Sequence, residues 1–530
     1  MCGIALIVGN DADPALFRRM LESLTPRGDV QEELPEALRQ IAGGPATGLL
    51  AGTQRLRIVD RERAVQPWVS PDEAWVLCYN GEIFNYRDLR AELVAAGREL
   101  RSESDTEVVL EAFLEWGEAA VGKLRGEFAF AIVERATGRV FLARDPLGVK
   151  PLYWSRRGGR LHIASEVKAL VPVGARVTEV PPGHHGWATA VTGPRLTPYV
   201  DLLRLGEDQV PIEDPDEAAK LVRAALQDSI RVRVDTDLTV GVIVSGGLDS
   251  SLTLLQVREM HPDCVAFTIG APGSPDLDYA RRLCRDLGVT HEVVELRPRD
   301  IGMGEIREAI RMGELSEYGD IINAVVSVPL FRRVHETGIK VVLTGDGSDE
   351  LFGGYPMYHE VGPVAARRLF LHKIRNLCRT ELQRVDRTSM GQGVEARVPF
   401  LDLALVELAM RMPLSLKMRN GREKWIVREA FADILPDYVR NRPKNPMSYS
   451  SGLHERARLY KPRFARVHHS FGYGLLEPLR RDFDHVLMKC GNDLDAAIRE
   501  SAVRQDYTLL EHARDFAGAL RWFTAARAPY

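Results

Sequence analysis

A strand, a glycine-rich turn and a helix follow one another without a gap near the middle of this chain of 530 residues. Residues 238–244 are apolar and rich in β-branched side chains, a pattern typical of a buried strand. The next residues are Ser245-Gly246-Gly247-Leu248-Asp249-Ser250, and an apolar helical pattern begins directly behind them. Glycines let the backbone approach a phosphate closely, and a helix N-terminus offers it unpaired N–H groups. The pattern therefore predicts an anion-binding loop at the end of a strand.

A second loop of this kind follows another β-branched strand about a hundred residues later. It reads Thr344-Gly345-Asp346-Gly347-Ser348-Asp349-Glu350. Three acidic groups among glycines at the carboxyl end of a strand suit Mg²⁺ and a polyphosphate, because Mg²⁺ prefers hard oxygen ligands. Acidic loops rich in glycine are usually only solvated turns, but two loops that each follow a strand favour a shared site. The glycine spacing differs from the dinucleotide fingerprint, and no Walker sequence is present at either loop.

The start of the chain carries a different kind of chemistry. The second residue is Cys2, so removal of Met1 would leave a thiol and a free α-amine on one residue. An α-amine with a pKa near ~8 can accept the proton of the thiol, as in other nucleophiles that an N-terminal amine activates. A cysteine at position 2 can also be an accident of the start, so this interpretation depends on partners further along the chain.

Such partners occur at the ends of the next apolar stretches. They are Arg55, the run Asn80-Gly81-Glu82, and Asp105. A side-chain amide and a glycine N–H can form an oxyanion hole, while an arginine and an aspartate can hold an α-carboxylate and an α-ammonium. An isolated Asn-Gly pair is typical of a hairpin turn, and we expect these residues in loops at strand ends. Loops there would converge on one site.

These residues resemble the N-terminal-nucleophile glutaminase domain of class II glutamine amidotransferases. The resemblance implies that Cys2 is the nucleophile and that Asn80 and Gly81 form the oxyanion hole. It also implies that Arg55, Glu82 and Asp105 bind glutamine. One departure is visible, because the His-Arg-Gly-Pro-Asp loop of the family is represented here by Pro26-Arg27-Gly28-Asp29. The missing histidine and proline leave the shape of the glutamine-pocket wall open.

The second half resembles the synthetase domain of the class B, glutamine-hydrolysing asparagine synthetase family. The likeness rests on both glycine-rich loops together with residues 273–277, 395–402 and 442–444. It implies that ATP is cleaved to AMP and pyrophosphate to adenylate a carboxylate, which ammonia then converts to an amide. The implied ATP-binding residues are Ser245, Gly246, Gly247, Asp249, Ser250, Thr344 and Gly345; Asp346 and Lys444 are implied as catalytic residues, and Asp249 and Asp349 as Mg²⁺ ligands. Asp346 stands where some members have glutamate, which shortens its reach by about one methylene.

Both resemblances imply a two-domain α/β protein. We expect residues 2–205 to form a glutamine amidotransferase domain with the αββα sandwich of Ntn hydrolases. We expect residues 216–530 to form a doubly wound parallel-sheet domain of the ATP-pyrophosphatase, or adenine nucleotide alpha hydrolase-like, kind, with a helical tail after Lys444. The segment between them is charged and punctuated by proline, and strands alternate with helices behind it.

Composition excludes several other classes. Lys and Arg total 70 against 74 Asp and Glu, so no electrostatic footprint for nucleic acid is present. No apolar run is long enough for a transmembrane helix and no signal-peptide pattern is visible, so a cytoplasmic enzyme is expected. The six cysteines have no paired spacing, which argues against a zinc site or a disulfide framework. A homodimer is one assembly that the resemblance leaves open.

The carboxylate that is amidated also stays open. The resemblance favours aspartate, which would give asparagine. Tailoring enzymes of the same architecture amidate other biosynthetic acids, and residues 314–322 and 445–449 are less standard than the phosphate loops. A non-catalytic homologue that only binds nucleotide or glutamine is the alternative of another class. Such a homologue would be expected to lose Cys2 or the loop at Ser245, and this chain keeps both.

Overall fold

The computed structural model describes residues 1–41, 48–202, 204–316, 318–355, 358, 362–444, 456 and 459–475. These residues form two compact units. The first comprises the described residues of Met1–Leu202, Met390–Glu395 and Phe471–Glu477, and the second those of Leu203–Ser389 and Ala396–Ser470. The expected domain limits of 2–205 and 216–530 stay a prediction.

The first unit is built from two antiparallel sheets and four α-helices among its described residues. In chain order they are β1 (Cys2–Gly9), α1 (Pro14–Glu22), β2 (Val30–Glu33), β3 (Gly48–Arg55), β4 (Trp68–Val69), β5 (Trp75–Ile83), α2 (Tyr86–Ala95), α3 (Asp105–Trp116), β6 (Gly126–Glu134), β7 (Arg139–Arg144), β8 (Tyr153–Arg157), β9 (Arg160–Ala164), α4 (Val167–Leu170), β10 (Val177–Glu179), β11 (His184–Ala188) and β12 (Arg195–Pro198). One sheet has the order β10-β8-β9-β1-β3-β2 and the other β12-β11-β7-β6-β5-β4.

Strand β1 shows why the sheets are sandwiched between helices. All of its residues are buried, although alternate side chains of a strand point to opposite faces. Ile4 and Leu6 lie in a core with residues of the second sheet such as Cys78. Ala5 and Ile7 lie in another core with residues of α1 and α4. A third core joins the second sheet to α2 and α3. The four layers confirm the αββα sandwich.

The second unit is centred on a five-stranded sheet. Its elements are α5 (Pro215–Arg233), β13 (Val240–Ile243), α6 (Leu248–Met260), β14 (Val265–Gly270), α7 (Pro275–Leu287), β15 (Thr290–Glu295), α8 (Met303–Gly313), α9 (Tyr318–Glu336), β16 (Val341–Leu343), α10 (Ser348–Phe352), α11 (Pro363–Asn376), α12 (Glu381–Met390), β17 (Glu395–Arg397), α13 (Leu403–Met410), α14 (Leu414–Lys417), α15 (Trp425–Ala430), α16 (Asp437–Arg440) and α17 (Phe464–Ser470). The strand order is β15-β14-β13-β16-β17.

The topology of this sheet creates a crevice where the two glycine-rich loops begin. Strands β14 and β15 are added to one side of β13, and the chain then returns to place β16 on its other side, with parallel pairing throughout these four strands. Ligands of doubly wound sheets bind at such a reversal, beyond the carboxyl ends of the strands. The doubly wound parallel sheet is thereby confirmed. Helix α17 belongs to the expected tail, whereas residues 476–530 lie outside the described part.

Within the part of the chain that the structure describes, we find no helix with the length and apolar character needed to cross a bilayer.

Candidate active sites

Cys2 is the first residue of β1 and lies directly opposite Arg55 at the end of β3. Its backbone N–H donates a hydrogen bond of 2.9 Å to Asn80 Oδ1. The side chain is buried, and burial raises the pKa of the Cys2 thiol. A thiol of raised pKa stays protonated at neutral pH, so it needs a nearby base to become a nucleophile. Removal of Met1 would supply one in the α-amine of Cys2 itself.

In the described part of the chain, the side-chain amide of Asn80 forms a hydrogen bond through its oxygen but not through its nitrogen. Its Oδ1 accepts from Cys2, whereas its Nδ2 is buried and has no hydrogen-bond partner among the described residues. A buried donor without a partner costs free energy and is rare, so it calls for an explanation. A donor held beside a thiol fits a group that stabilises an oxyanion.

Asn80 and Gly81 lie inside β5, where they pair with Ala129 and Phe128 of β6. The expectation of a loop at this position is therefore wrong. The turn preference of an Asn-Gly pair is local, and the pairing of a long strand overrides it. A Cβ on Gly81 would lie 2.5 Å from the carbonyl oxygen of Glu127, so this close strand pairing requires glycine.

The other residues expected to bind glutamine surround the same thiol. Asp105 begins α3, is buried, and accepts hydrogen bonds from the Tyr79 hydroxyl at 2.7 Å and the Ile83 N–H at 3.1 Å. Burial raises the pKa of the Asp105 carboxyl. Glu82 is buried on β5. The charges of Arg55 and Asp105 act on the Cys2 thiol with opposite sign, so the structure brings these groups together.

Two residues of this site carry no signal in the sequence. Gln66 Nε2 lies 3.6 Å from Cys2 Sγ, and Gln66 Oε1 accepts from the Tyr79 N–H at 2.9 Å. Glu32 forms a two-pronged ion pair with Arg55, at 2.8 and 2.9 Å. Neither residue belongs to a recognisable motif, and only the folded chain brings them to the thiol and to the arginine.

In the second unit, the loop after β13 folds over its own hydroxyl groups. The N–H of Ser245 donates to Ser250 Oγ at 3.1 Å, and the N–H of Gly247 donates to Ser245 Oγ at 3.3 Å. Gly246 has a φ of 70°, a conformation that favours glycine. The turn ends at the start of α6, which confirms the expected order of strand, glycine turn and helix.

The loop after β16 lies against this first loop. A Cβ on Gly345 would lie 3.0 Å from Asp249 Cβ and 3.0 Å from the backbone nitrogen of Ser250. The hydroxyl of Ser348 donates to Asp249 Oδ1 at 2.7 Å, which ties the two loops together. Thr344 is buried at the start of the second loop. The residues expected to bind ATP therefore lie in one place.

Two lysines organise the acidic groups of these loops. Lys424 Nζ lies 2.5 Å from Asp249 Oδ2 and 2.6 Å from Asp349 Oδ1, and Lys444 Nζ lies 2.5 Å from Asp349 Oδ2. Burial opposes ionisation of Asp349, but the two ammonium groups outweigh it and hold the pKa of this carboxyl well below its usual range. Asp349 therefore remains charged throughout the neutral range.

Lys424 was not expected from the sequence, since it belongs to no motif. It is buried, and its φ of 55° lies in the left-handed region that residues with side chains rarely adopt. Such a conformation costs of order 1–3 kcal/mol and tends to persist at functional sites. Its ammonium is the point at which Asp249 and Asp349 converge.

Asp346 lies at the edge of this cluster. Its Oδ1 is 2.8 Å from Arg384 Nη2, which also pairs with Glu381 at 2.5 Å. Its N–H donates to Thr344 Oγ1 at 3.4 Å. Asp346 thus has its charge balanced by an arginine of α12, whereas Asp249 and Asp349 have theirs balanced by lysines.

The acidic groups suit a magnesium ion that is bound together with a polyphosphate. No cluster of three or more His, Cys, Asp or Glu ligands is present among the described residues. Mg²⁺ in nucleotide sites usually takes only one or two carboxylates and completes its shell with phosphate oxygens and waters. Two carboxylates that already converge on one ammonium fit that requirement.

Two family models match the chain. A glutamine amidotransferase domain matches residues 1–183, and asparagine synthase matches residues 221–368 and 360–470. Asparagine synthetase B [glutamine-hydrolyzing] of Escherichia coli is 34% identical over 422 residues, which cover 75% of this chain and 74% of that protein. Asparagine synthetases [glutamine-hydrolyzing] of Sandersonia aurantiaca and Brassica oleracea are 33% and 32% identical; the alignments cover 75% and 85% of this chain and 78% of each relative.

A glutamine amidotransferase domain followed by an asparagine synthase domain defines a glutamine-dependent, ATP-driven ligase that forms amides. The chain belongs to the glutamine-hydrolysing asparagine synthetase family. The resemblance inferred from the motifs is thereby confirmed. The family is one of enzymes, which answers the alternative of a non-catalytic homologue.

Proposed function

We propose that this enzyme converts aspartate to asparagine, with glutamine as the nitrogen donor and Mg²⁺ together with ATP as the energy source. The observation that carries the proposal is the unpaired Nδ2 of Asn80, whose Oδ1 accepts from the Cys2 backbone, because this free donor can bind the oxygen of an amide substrate that Cys2 attacks. Aspartate as the acceptor is supported by the names of the relatives. We expect the enzyme to act in the cytoplasm; a homodimer and the absence of nucleic-acid partners stay predictions.

In the glutaminase step, the Cys2 thiol attacks the amide carbon of glutamine and the α-amine of Cys2 takes the thiol proton. The tetrahedral intermediate carries its negative charge on an oxygen that Asn80 Nδ2 and the N–H of Gly81 stabilise. The α-ammonium of Cys2 passes the proton to the departing nitrogen, ammonia leaves, and water then hydrolyses the thioester to glutamate and restores the Cys2 thiol. Arg55 pairs with the α-carboxylate of glutamine, while Glu82 and Asp105 hold its α-ammonium.

In the ligase step, the acceptor carboxylate attacks the α-phosphorus of ATP and pyrophosphate leaves. Ser245, Gly246, Gly247 and Ser250 bind the phosphates, and Thr344 and Gly345 complete their pocket. Lys444 offsets the charge of the phosphates. Ammonia then attacks the acyl carbon of the adenylate, AMP leaves, and Asp346 accepts a proton from the nitrogen. Asp249 and Asp349 would hold Mg²⁺, which neutralises the charge that develops on pyrophosphate.

The proposal is tested with purified enzyme, ATP, Mg²⁺ and glutamine, offered with aspartate or with a panel of other carboxylic acids. We expect aspartate to yield asparagine, AMP, pyrophosphate and glutamate in equal amounts, measured by chromatography and phosphorus NMR. Formation of ADP and phosphate would contradict the adenylation step. If another acid stimulates pyrophosphate release and aspartate does not at millimolar concentration, the enzyme is a tailoring amidotransferase of the same family.

A variant pair assigns the ligase step to the second unit. Asp249→Ala should reduce pyrophosphate formation by roughly 100-fold, because it removes a group that faces the phosphates and Lys424. Asp263→Ala changes an exposed aspartate just beyond α6 and is the matched control. The glutaminase rate without ATP is the internal reference for both. A normal rate of pyrophosphate formation by Asp249→Ala would remove this residue from the site.

A further inference from the structure

The segment that follows the altered loop at Pro26-Arg27-Gly28-Asp29 reaches Arg55, one of the residues expected to bind glutamine. This segment is β2, an edge strand that pairs with β3 so that Val30 lies opposite Arg55 and Glu32 lies opposite Thr53. Residues two apart on a strand share a face, and diagonal neighbours on paired strands lie within reach of long side chains. The register of β2 therefore places Glu32 beside Arg55.

Glu32 makes the contacts that a bound α-carboxylate would make. Its Oε2 accepts from Arg55 Nε at 2.9 Å and its Oε1 from Arg55 Nη2 at 2.8 Å. This bidentate arrangement is the one in which arginine recognises carboxylates. The third nitrogen, Arg55 Nη1, donates to the carbonyl of Arg61 at 3.2 Å. An incoming α-carboxylate cannot form the same two bonds while Glu32 holds them.

The Glu32 carboxylate is also connected to the nucleophile. Its Oε2 accepts a further hydrogen bond of 2.8 Å from the backbone N–H of Gln66. The side chain of the same Gln66 reaches the Cys2 thiol, at 3.6 Å between Nε2 and Sγ. Glu32 is thus linked to the Cys2 thiol through a single residue, Gln66.

The two partners differ slightly in burial and clearly in their place in the sheet. The Arg55 side chain is 6% exposed and the Glu32 side chain 14%. Arg55 is fixed on a central part of its sheet between β1 and β2, whereas Glu32 belongs to the edge strand. Side chains of an edge strand have a solvent-facing escape that those of an inner strand lack. Displacement would therefore move Glu32 outward and leave Arg55 in place.

We propose that Glu32 competes with the α-carboxylate of glutamine for Arg55 and thereby sets a weak affinity for this donor. The inference rests on the proposed function, in which Arg55 binds that carboxylate. Glutamine then binds by exchanging one carboxylate for another, so it gains little from the ion pair that it forms. Free ammonia does not bind Arg55, so its use in the ligase step does not depend on this exchange.

The test is the glutamine KM of the glutaminase step, measured as glutamate release without ATP. Glu32→Ala should lower this KM by roughly 10- to 100-fold, since a bidentate charge-assisted pair no longer has to be broken. Glu32→Gln should lower it less, because the amide retains the shape and one acceptor. The sign of the change decides between two roles: a glutamate that merely supports Arg55 would give a higher KM when it is removed.

Glu33→Gln is the matched control. Glu33 neighbours Glu32 but is exposed, and it pairs with Arg39 at 3.3 Å instead of with Arg55. Its substitution should leave the glutamine KM unchanged. A second measurement, the glutamine concentration that half-protects Cys2 from iodoacetamide, should fall in parallel in the two Glu32 variants and does not depend on turnover.

The outcomes separate this inference from the proposed function. An unchanged or raised KM and protection constant in both folded Glu32 variants would overturn the inference, while ammonia-dependent amide formation would still support the proposed function. If wild type has no measurable glutaminase rate, glutaminase activity in Glu32→Gln or Glu32→Ala supports the inference. Inactivity of both variants overturns it. If wild type releases no pyrophosphate with either glutamine or ammonia, the result would instead contradict the proposed function.

Discussion

The two candidate active sites differ in the backbone that supports them. Around Cys2, most of the groups come from paired strands, β1, β3 and β5, whose register fixes their positions, while Asp105 comes from the start of α3. Around Asp249, the groups come from loops that begin where parallel strands end. A strand site is rigid and offers few ways to adjust, whereas a loop site adjusts through its turns. We therefore expect substitutions of the strand residues Cys2 and Asn80 to act mainly on the chemical step, and those in the loops of the second site to act on binding as well.

The sites also differ in the sign of the charged side chains that pair with the residues expected to bind substrate or metal. At the first, an internal anion, Glu32, lies on the cationic group expected to bind glutamine. At the second, internal cations, Lys424 and Lys444, lie on the anionic groups expected to bind Mg²⁺. A buried charge needs a partner of opposite sign, and each site supplies one from its own chain. The following experiments test whether these differences hold.

The largest effect should come from Cys2→Ala. Loss of the nucleophile should reduce glutamine-dependent amide formation by at least about 1,000-fold, because no covalent intermediate can form. The ratio of ammonia-dependent to glutamine-dependent rates is the measurement, and it should rise by the same factor. Cys78→Ala, which alters another buried cysteine of the same unit, should keep the wild-type ratio. Glutamine-dependent activity in Cys2→Ala would show that Cys2 is not the nucleophile.

Asn80→Ala should have the next largest effect. Removal of an oxyanion donor typically lowers kcat by roughly 100- to 1,000-fold, and the glutamine KM should change far less. Steady-state glutaminase assays separate the two constants. Asn85→Ala is the control, because its amide holds Lys123 and Arg125 in a loop and does not contact Cys2. Equal kcat values in Asn80→Ala and wild type would show that the vacant donor has no catalytic role.

Lys424→Gln should weaken the second site by a smaller factor. Asp249 and Asp349 would lose the cation that they share, so we expect kcat/KM for pyrophosphate formation to fall by about 10- to 100-fold. Titration with Mg²⁺ should recover part of this loss, because a second cation can take the place of the ammonium. The exposed Lys220→Gln on α5 should behave as wild type. A variant with unchanged kinetics would show that the lysine only fills space.

The smallest effect concerns pH. Burial raises the pKa of the Cys2 thiol, so its thiolate fraction at pH 7 is small and grows about tenfold for each pH unit up to that pKa. Alkylation of Cys2 by iodoacetamide, followed by mass spectrometry, should accelerate accordingly between pH 7 and 8. Asp349 has its pKa lowered by Lys424 and Lys444 and keeps its charge over this range. Nucleotide binding should therefore stay constant, and a flat alkylation profile would contradict the first expectation.

Much of this architecture could be predicted because it depends on local patterns. The order of β13, its glycine turn and α6 can be read from a few adjacent residues, as can the acidic loop after β16. The position of Asn80 was mistaken for a loop because the pairing partner β6 lies more than forty residues away along the chain. Local propensity cannot reveal a ladder that forms between distant strands.

The residues that contact the expected site groups could not be predicted for a similar reason. Glu32, Gln66 and Lys424 are unremarkable in sequence, and each acquires its role only through a contact with a residue far along the chain. Motifs identify groups that face a substrate, but they do not identify what neutralises those groups when no substrate is bound. That information lies in the register of strands and in the path of loops.

The close approach of Gly345 to Asp249 and Ser250 couples the two glycine-rich loops. Since a Cβ at this position would lie only 3.0 Å from the backbone nitrogen of Ser250, a side chain here would require the other loop to shift by a few tenths of an ångström. A tolerated change in one loop would require a compensating change in the other in the same lineage. The two motifs, separated by almost a hundred residues, are therefore expected to be inherited as one unit, and hybrids that combine them from different relatives should fail more often than hybrids that keep the pair.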